Sequence, residues 1–427
     1  MTEPTGKIEP QPWLTAPETS AVINALTADG DEARFVGGCV RDAILKLPVK
    51  DIDIATPVKP EKIIELLERA SIKAIPTGLK HGTITAITGD ARFEITTLRI
   101  DVKTDGRHAK VAFTDDWLAD AKRRDFVINT LSCDKDGGVY DLLGGLDDIG
   151  NKRVRFVGNA KDRIEEDVLR ILRFFRFFGA YGKPPADIDA LTACRLSAPR
   201  LSELSGERIQ GEMFSILLGP NPADIVQLMI GERLFEHFMG QVGDVGRLRQ
   251  ISWLETDAIK MNSISQDPVR RLAALLDTDL DGAGAAAERL RLSNSQTARL
   301  MLMTSPPSKL NPETDDRKQR RLLHRLGDEA VRDMALLEWA SERALTPRQP
   351  RHRTEAWVEL LEAAETWTPI KFPLKGGDII SLGVPQGAGV GDMLKRVEEW
   401  WEDGDFKAGR DECLEKLKKL VETTQSA

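Results

Sequence analysis

Apolar and polar positions repeat with two different periods along this chain, and the change of period divides it. From Ala33 to about Gly158, short runs of period two alternate with helical patterns. Ala33-Arg34-Phe35-Val36 reads as a strand that stops at Gly37 and Gly38, and a helical pattern opens near Val40. In Lys50-Asp51-Ile52-Asp53-Ile54-Ala55 the alternation puts Asp51 and Asp53 on one face of a strand, roughly 6.5 Å apart, with Ile52 and Ile54 on the other. Residues 61–70, entered after Pro60, predict a helix that buries Ile63, Ile64, Leu66 and Leu67. Residues 82–88 and 91–98 predict two strands joined at Gly89-Asp90, with Glu94 pointing away from Phe93 and Ile95. Residues 101–115, including Thr104-Asp105-Gly106-Arg107-His108, show no clear period and predict a loop. A helix is expected to begin near Asp125, which it would cap, with Asn129 one turn further on the same face.

A second regime follows. Residues 162–178 predict one helix in which Asp167, Arg170, Arg173 and Arg176 form a ridge opposite Leu169, Leu172 and Phe175. Glu166 and Arg170 are spaced for an ion pair on it. Leu204-Ser205-Gly206-Glu207-Arg208-Ile209 with Glu212 reads as a joint between helices, and beyond Gly219-Pro220-Asn221-Pro222 the pattern is helical to residue 427. Ser293-Asn294-Ser295-Gln296 carries a capping box. At the other end, residues 1–30 form a proline-interrupted lead with one short helix around residues 17–26.

Composition narrows the chemistry. A chain of 427 residues is too long for one core. Its net charge of −8 excludes an obligate, nonspecific nucleic-acid coat, but a local basic lane can still operate. Residues 152–176 hold eight Lys/Arg against four Asp/Glu, and further basic clusters stand at 317–321 and 348–353. Cys39, Cys133, Cys194 and Cys413 show no metal-binding spacing and read as free thiols of a reducing compartment. With no apolar run of membrane-spanning length and no signal-like start, the expected location is cytoplasmic, with no membrane partner.

The strand–glycine–helix junction at Gly37-Gly38 lets backbone N–H groups approach an anion. The Asp51/Asp53 face can hold a hard divalent cation such as Mg²⁺. Each half alone is weak: a Gly-Gly turn is usually a turn, and Asp-x-Asp on a strand is usually a solvated face. In this order and spacing, Gly37-Gly38-x-Val40-Arg41-Asp42 followed by Asp51-x-Asp53-x-Ala55-Thr56 resembles the signature of the class II nucleotidyltransferases, the bacterial CCA-adding tRNA nucleotidyltransferases and their poly(A) polymerase relatives.

That resemblance implies an α/β nucleotidyltransferase palm followed by all-α domains. The implied parts are a lead helix (1–30), a head (31–158), a neck that recognises the base (159–219), a body (220–345) and a tail that binds tRNA (346–427). Asp51 and Asp53 would bind two Mg²⁺ ions, and Glu94 would be a third carboxylate, since Glu94-Ile95-Thr96-Thr97 matches the family's Glu-x-Thr-Thr. Gly38 and Arg41 would contact the triphosphate. Arg124 and Asp125 would recognise the ribose, in a segment where this chain has Val127 in place of the family's Thr. The helix with Asp167 and Arg170, and with Arg173 and Arg176 in reach, would read the base. Cytosine and adenine present an amino donor beside a ring-nitrogen acceptor, which suits a carboxylate next to a guanidinium; uracil and guanine present the reverse. The implied substrates are CTP, ATP and the 3′ end and acceptor region of tRNA, with addition of CCA as the reaction. A poly(A) polymerase or an enzyme adding part of CCA shares every motif above, and a non-catalytic RNA-binding protein is the alternative from another class. Oligomeric state is left open.

Overall fold

The computed structural model describes residues 3–105, 108–240 and 242–425. Two compact units divide the chain: Met1–Val242 with Glu288–Arg291, and Gly243–Ala287 with Leu292–Ala427. The first carries the strands: β1 (Gly6–Lys7), β2 (Arg34–Val36), β3 (Ile52–Thr56), β4 (Lys73–Gly78), β5 (Thr83–Thr88), β6 (Ala91–Thr97), β7 (Arg99–Asp105), β8 (His108–Phe113), β9 (Ser132–Cys133) and β10 (Gly138–Tyr140). Eight of them form one sheet in the order β1-β10-β9-β2-β3-β6-β5-β4, in which β3 and β6 run parallel.

Period two is what gives this sheet its two unlike faces. Phe35, Ile54, Ile84, Ala86, Phe93 and Ile95 enter one apolar core. The helices α1 (Pro12–Thr15), α2 (Pro17–Leu26), α3 (Gly38–Ile44) and α4 (Pro60–Arg69) add Leu14, Val22, Leu26, Val40, Ile63 and Leu67 to it. The alternate positions stay largely uncovered. There only Val36, Ala55 and Leu98 form a small cluster with Trp117 from α5 (Trp117–Lys122), and Asp53 lies on that side.

Helices follow: α6 (Gly145–Gly150), α7 (Ala160–Glu166), α8 (Arg170–Tyr181), α9 (Ile188–Ser197), α10 (Gly206–Leu217) and α11 (Pro222–Gly231). Three expectations from the sequence need correction. Residues 162–178 are two helices rather than one. Asp167 is extended (φ −153°, ψ 108°), its side chain accepts the Leu169 N–H, and Arg208 clamps it with two bonds of 2.7 and 2.9 Å. No α-helix starts at Asp125; a single 3₁₀ turn, Val127–Asn129, stands there with Phe126 at its cap, and Asp125 is instead consumed by an ion pair with Arg173. Residues 101–115 are no loop. Most of them belong to the hairpin β7–β8, whose tip, Gly106-Arg107, lies outside the described residues. The hairpin escapes a periodicity argument because Ile100, Val102 and Phe113 are exposed.

The second unit is helical, as its pattern predicts: α12 (Val245–Trp253), α13 (Pro268–Leu275), α14 (Leu280–Arg289, whose end belongs to the first unit), α15 (Asn294–Thr304), α16 (Asp316–Leu326), α17 (Asp328–Leu345), α18 (Arg351–Glu365), α19 (Gly376–Ile380), α20 (Ala388–Asp403) and α21 (Arg410–Gln425). The capping box at Ser293 opens α15 as expected. Among the described residues no helix is long and apolar enough to cross a membrane. A buried charge network ties α13 to its neighbours. Glu255, in a π-turn after α12, accepts from Arg270 and Arg271 at 2.6 Å each, and Asp333 on α17 accepts from Arg270 and Arg299. Removing one partner of such a network strands buried charge. Glu255→Ala is therefore expected to destabilise this unit by about 3–5 kcal/mol, measured as a lower urea midpoint; an unchanged midpoint would contradict it.

Candidate active site

The site grows from the register of two strands. In the parallel pair β3/β6, Asp53 is the direct partner of Glu94, so both carboxylates leave the open face side by side. Asp51 precedes β3 by one residue and is exposed. Burial pushes the Asp53 carboxyl up to about 6, and the charges of Glu94 and Asp51 push the same way against Arg124. Such crowding is a surplus of negative charge that a cation would relieve. Among the described residues no three His, Cys, Asp or Glu side chains converge closely enough to enclose a metal. An open pair of carboxylates nonetheless fits Mg²⁺, which keeps waters and substrate phosphates among its ligands rather than requiring a protein cage.

Beside these carboxylates, β2 gives way to α3 at Gly37, which has φ +73°. A Cβ there would lie 3.1 Å from Arg124 Nη1, so the turn needs glycine for its backbone and for the arginine. Gly38 opens α3 without any side-chain cap, which leaves first-turn N–H groups without helical acceptors. Arg124 is anchored by the Asp120 carboxylate and the Asn129 carbonyl. Burial alone would raise the Asp120 carboxyl, but the Arg124 and Arg123 guanidiniums hold it below the ordinary range. Asp125 follows the same logic: burial opposes ionisation, and Arg173 overrides it.

The remaining predicted residues are all present in the first unit, each tied to protein partners. Arg41 is almost fully buried and donates to Asp42, Asn129 and Tyr181. Arg170 bonds Glu166, the ion pair its spacing predicts, and the carbonyls of Arg163 and Arg123. Asp167 is held by Arg208, not by Arg170. Arg173 bonds Asp125 through Nε at 2.8 Å. Arg176 Nε lies 2.7 Å from Glu212 Oε2, close enough for an ion pair but off-line for a hydrogen bond. Asp120, Asn129, Tyr181, Arg208 and Glu212 thus build the site without having been assigned to it. Asp120 was accessible from its i,i+4 spacing to Arg124. Nothing local points to Tyr181, which meets Arg41 across 140 positions.

Residues 33–155 match the Poly A polymerase head domain, and residues 187–242 match a probable RNA and SrmB-binding site of polymerase A. The chain is 35% identical over 402 residues to the mitochondrial CCA tRNA nucleotidyltransferase 1 of Homo sapiens, covering 92% of this chain and 87% of that protein. The chain belongs to the CCA-adding tRNA nucleotidyltransferase family. Its likeness to the CCA-adding enzyme of Limosilactobacillus fermentum is 30% over 407 residues, 94% of this chain and 96% of the other. Among solved structures, a Bacillus stearothermophilus CCA-adding enzyme in complex with CTP superposes with a TM-score of 0.78 at 26% identity, over 98% of this chain and 100% of that one. The palm-like head and helical remainder implied by the Gly37–Thr56 signature are therefore those of the nucleotidyltransferase family.

The anchoring of Arg124 has a measurable signature. Asp120→Asn should cost on the order of 3 kcal/mol at neutral pH, because it leaves buried guanidinium charge uncompensated. The folded-state pKa of Asp120 lies below its unfolded value of 3.8, so its contribution is complete above that value and is lost as pH falls through the folded value. Melting curves of wild type and variant should converge at acidic pH; a gap independent of pH would refute the charge argument.

Proposed function

We propose that this chain adds C, C and A, from CTP and ATP, to the 3′ end of tRNA without a nucleic-acid template. The observation that carries the reading is the register of Asp53 against Glu94, with Asp51 beside them and the Gly37-Gly38 turn opening α3 next to Arg124. Likeness over nearly the whole chain to proteins named for CCA addition supports it over a poly(A) polymerase.

Asp51 and Asp53, with Glu94, would hold two Mg²⁺ ions through oxygen. When bound, Mg²⁺ supplies positive charge to the triphosphate and to the attacking 3′-hydroxyl. The chain's own groups then do the positioning. First-turn N–H groups of α3, at Gly38, would meet the triphosphate and the guanidinium of Arg124 the ribose, while Arg41 ties α3 to Asn129 and Tyr181. Asp125, fixed by Arg173 and Asn129, keeps a carboxylate oriented near the ribose end. Asp167 would accept from the exocyclic amine of C or A. Arg208 occupies only part of its acceptor capacity, since a carboxylate has about four lone-pair sites. Arg170, with five N–H donors, three of them directed at Glu166 and two carbonyls, would supply the opposing donor. Because the break at Asp167 removes the shared helical turn, the acceptor and donor are set by Arg208 and Glu166 rather than by helical spacing.

Two experiments test this. Asp53→Asn should reduce incorporation of CTP and ATP into tRNA lacking its 3′ end by about a thousandfold or more, as several kcal/mol of transition-state stabilisation are lost. Turnover near wild type would reject the assignment. Asp167→Ala should lower use of CTP and ATP and narrow their lead over UTP and GTP, at roughly 1–3 kcal/mol per lost pairing. If Asp167→Ala and Arg170→Ala both retain wild-type discrimination, base reading lies elsewhere.

A further inference from the structure

Arg41 has more partners than any phosphate-binding role requires. Its Nε donates to Asp42 at 2.8 Å, Nη1 to Asn129 Oδ1 at 2.6 Å and Nη2 to the Tyr181 hydroxyl at 2.6 Å. The guanidinium carbon also lies 4.0 Å from the centroid of the Tyr181 ring and 5.3 Å from that of Phe177. Tyr181 is the last residue of α8 and stacks on Phe177 one turn earlier.

From Arg41 the bonds continue. Asn129 donates to Asp125, and Asp125 accepts from Arg173, which brings the path back to α8. The circuit therefore leaves α8 at Tyr181, crosses to α3 through Arg41 and returns at Arg173. The two attachments are eight residues apart, roughly 12 Å along the helix axis. One attachment would let α8 pivot; two so far apart fix its tilt as well as its distance. What they fix is α8, the carrier of Arg170, Arg173 and Arg176, against α3, the helix that begins at the phosphate-side turn.

We propose that Tyr181 is a positioning residue for nucleotide choice, acting through Arg41 to hold α8 at a set pitch against α3. The reading rests on the nucleotidyl-transfer function proposed above. Its role divides between two atom groups: the hydroxyl closes the circuit, and the ring supports the guanidinium from one face. A misplacement of an ångström or less between base-reading and phosphate-side groups acts on the transition state more than on binding, since the nucleotide keeps most of its contacts.

Tyr181→Phe keeps the ring and removes the hydroxyl, so the fold is retained while the circuit opens at one point. With the full chain and tRNA lacking its 3′ end, kcat for CTP and ATP should fall about tenfold to a hundredfold. KM should change by no more than about threefold if the loss is confined to the transition state. The lead of CTP and ATP over UTP and GTP should narrow. Tyr181→Leu, which also removes the ring, should lose more of both. Wild-type kcat and discrimination in the Phe variant would overturn the proposal. So would a loss of activity that follows melting temperature and disappears on cooling, because a merely structural tyrosine behaves that way. Absence of incorporation by the wild-type chain would instead overturn the nucleotidyltransferase reading itself.

Discussion

Two carboxylates that repel one another set the terms for the rest of the head. Asp53 and Glu94 are held opposite each other by the hydrogen-bond register of β3 and β6, and their backbone positions cannot separate without slipping a strand. A slip of one residue would turn Ile54, Phe93 and Ile95 out of the core, so apolar burial enforces the electrostatic conflict. Burial first, and then the charge of Glu94, push the Asp53 carboxyl up. Local instability of this kind is tolerated where the surroundings over-determine it, and here α2, α3 and α4 cover the opposite face while the carboxylate face stays open.

The helices beyond the sheet solve a different problem. Arginines and carboxylates at fixed positions are costly to order, because long side chains lose much rotamer entropy. In this chain the ordering is done in advance. Asp125 orients Arg173, Glu212 orients Arg176, Glu166 orients Arg170, and Arg208 orients Asp167. Each pair is partly buried, where losing one partner would leave the other's charge uncompensated. The segment around Arg208 and Glu212 reads in sequence as a plain joint between helices, yet it supplies two of these four partners.

Most of this was legible where a buried face meets an open one. Alternation in β3 and β6 predicts both strands and the side on which Asp53 and Glu94 emerge, because Ile52, Ile54, Phe93 and Ile95 must turn the other way. Pairing of the two strands was conditional in the sequence, since residues 53 and 94 are brought together only by the whole sheet. The single helix that the pattern predicts over 162–178 fails for the opposite reason. Every residue there has acceptable helix propensity, and the break comes from Arg208, forty-one positions away, which favours an extended Asp167 over a helical one. The hairpin β7–β8 gives no such signal, with Ile100, Val102 and Phe113 exposed. Tyr181 carries no signal at all until Arg41 is seen beneath it.

A count of basic residues is a poor guide to cationic surface in the second unit. The run at 317–321 reads as a lane for phosphates, but Arg320 is engaged by Asp405, and Arg321 by Glu402 and Asp403. One turn on, Arg325 also pairs with Glu402. In the second basic cluster Arg353 is bound to Glu342, and Arg351 to Glu355. An arginine already held by a carboxylate must give up that partner before it can meet another anion, which strands the carboxylate it leaves. The paired arginines of this unit act as braces between α16 and α20. The same economy governs the first unit, where Arg41, Arg170, Arg173 and Arg176 all have protein partners. In both units these arginines serve first to fix one element against another.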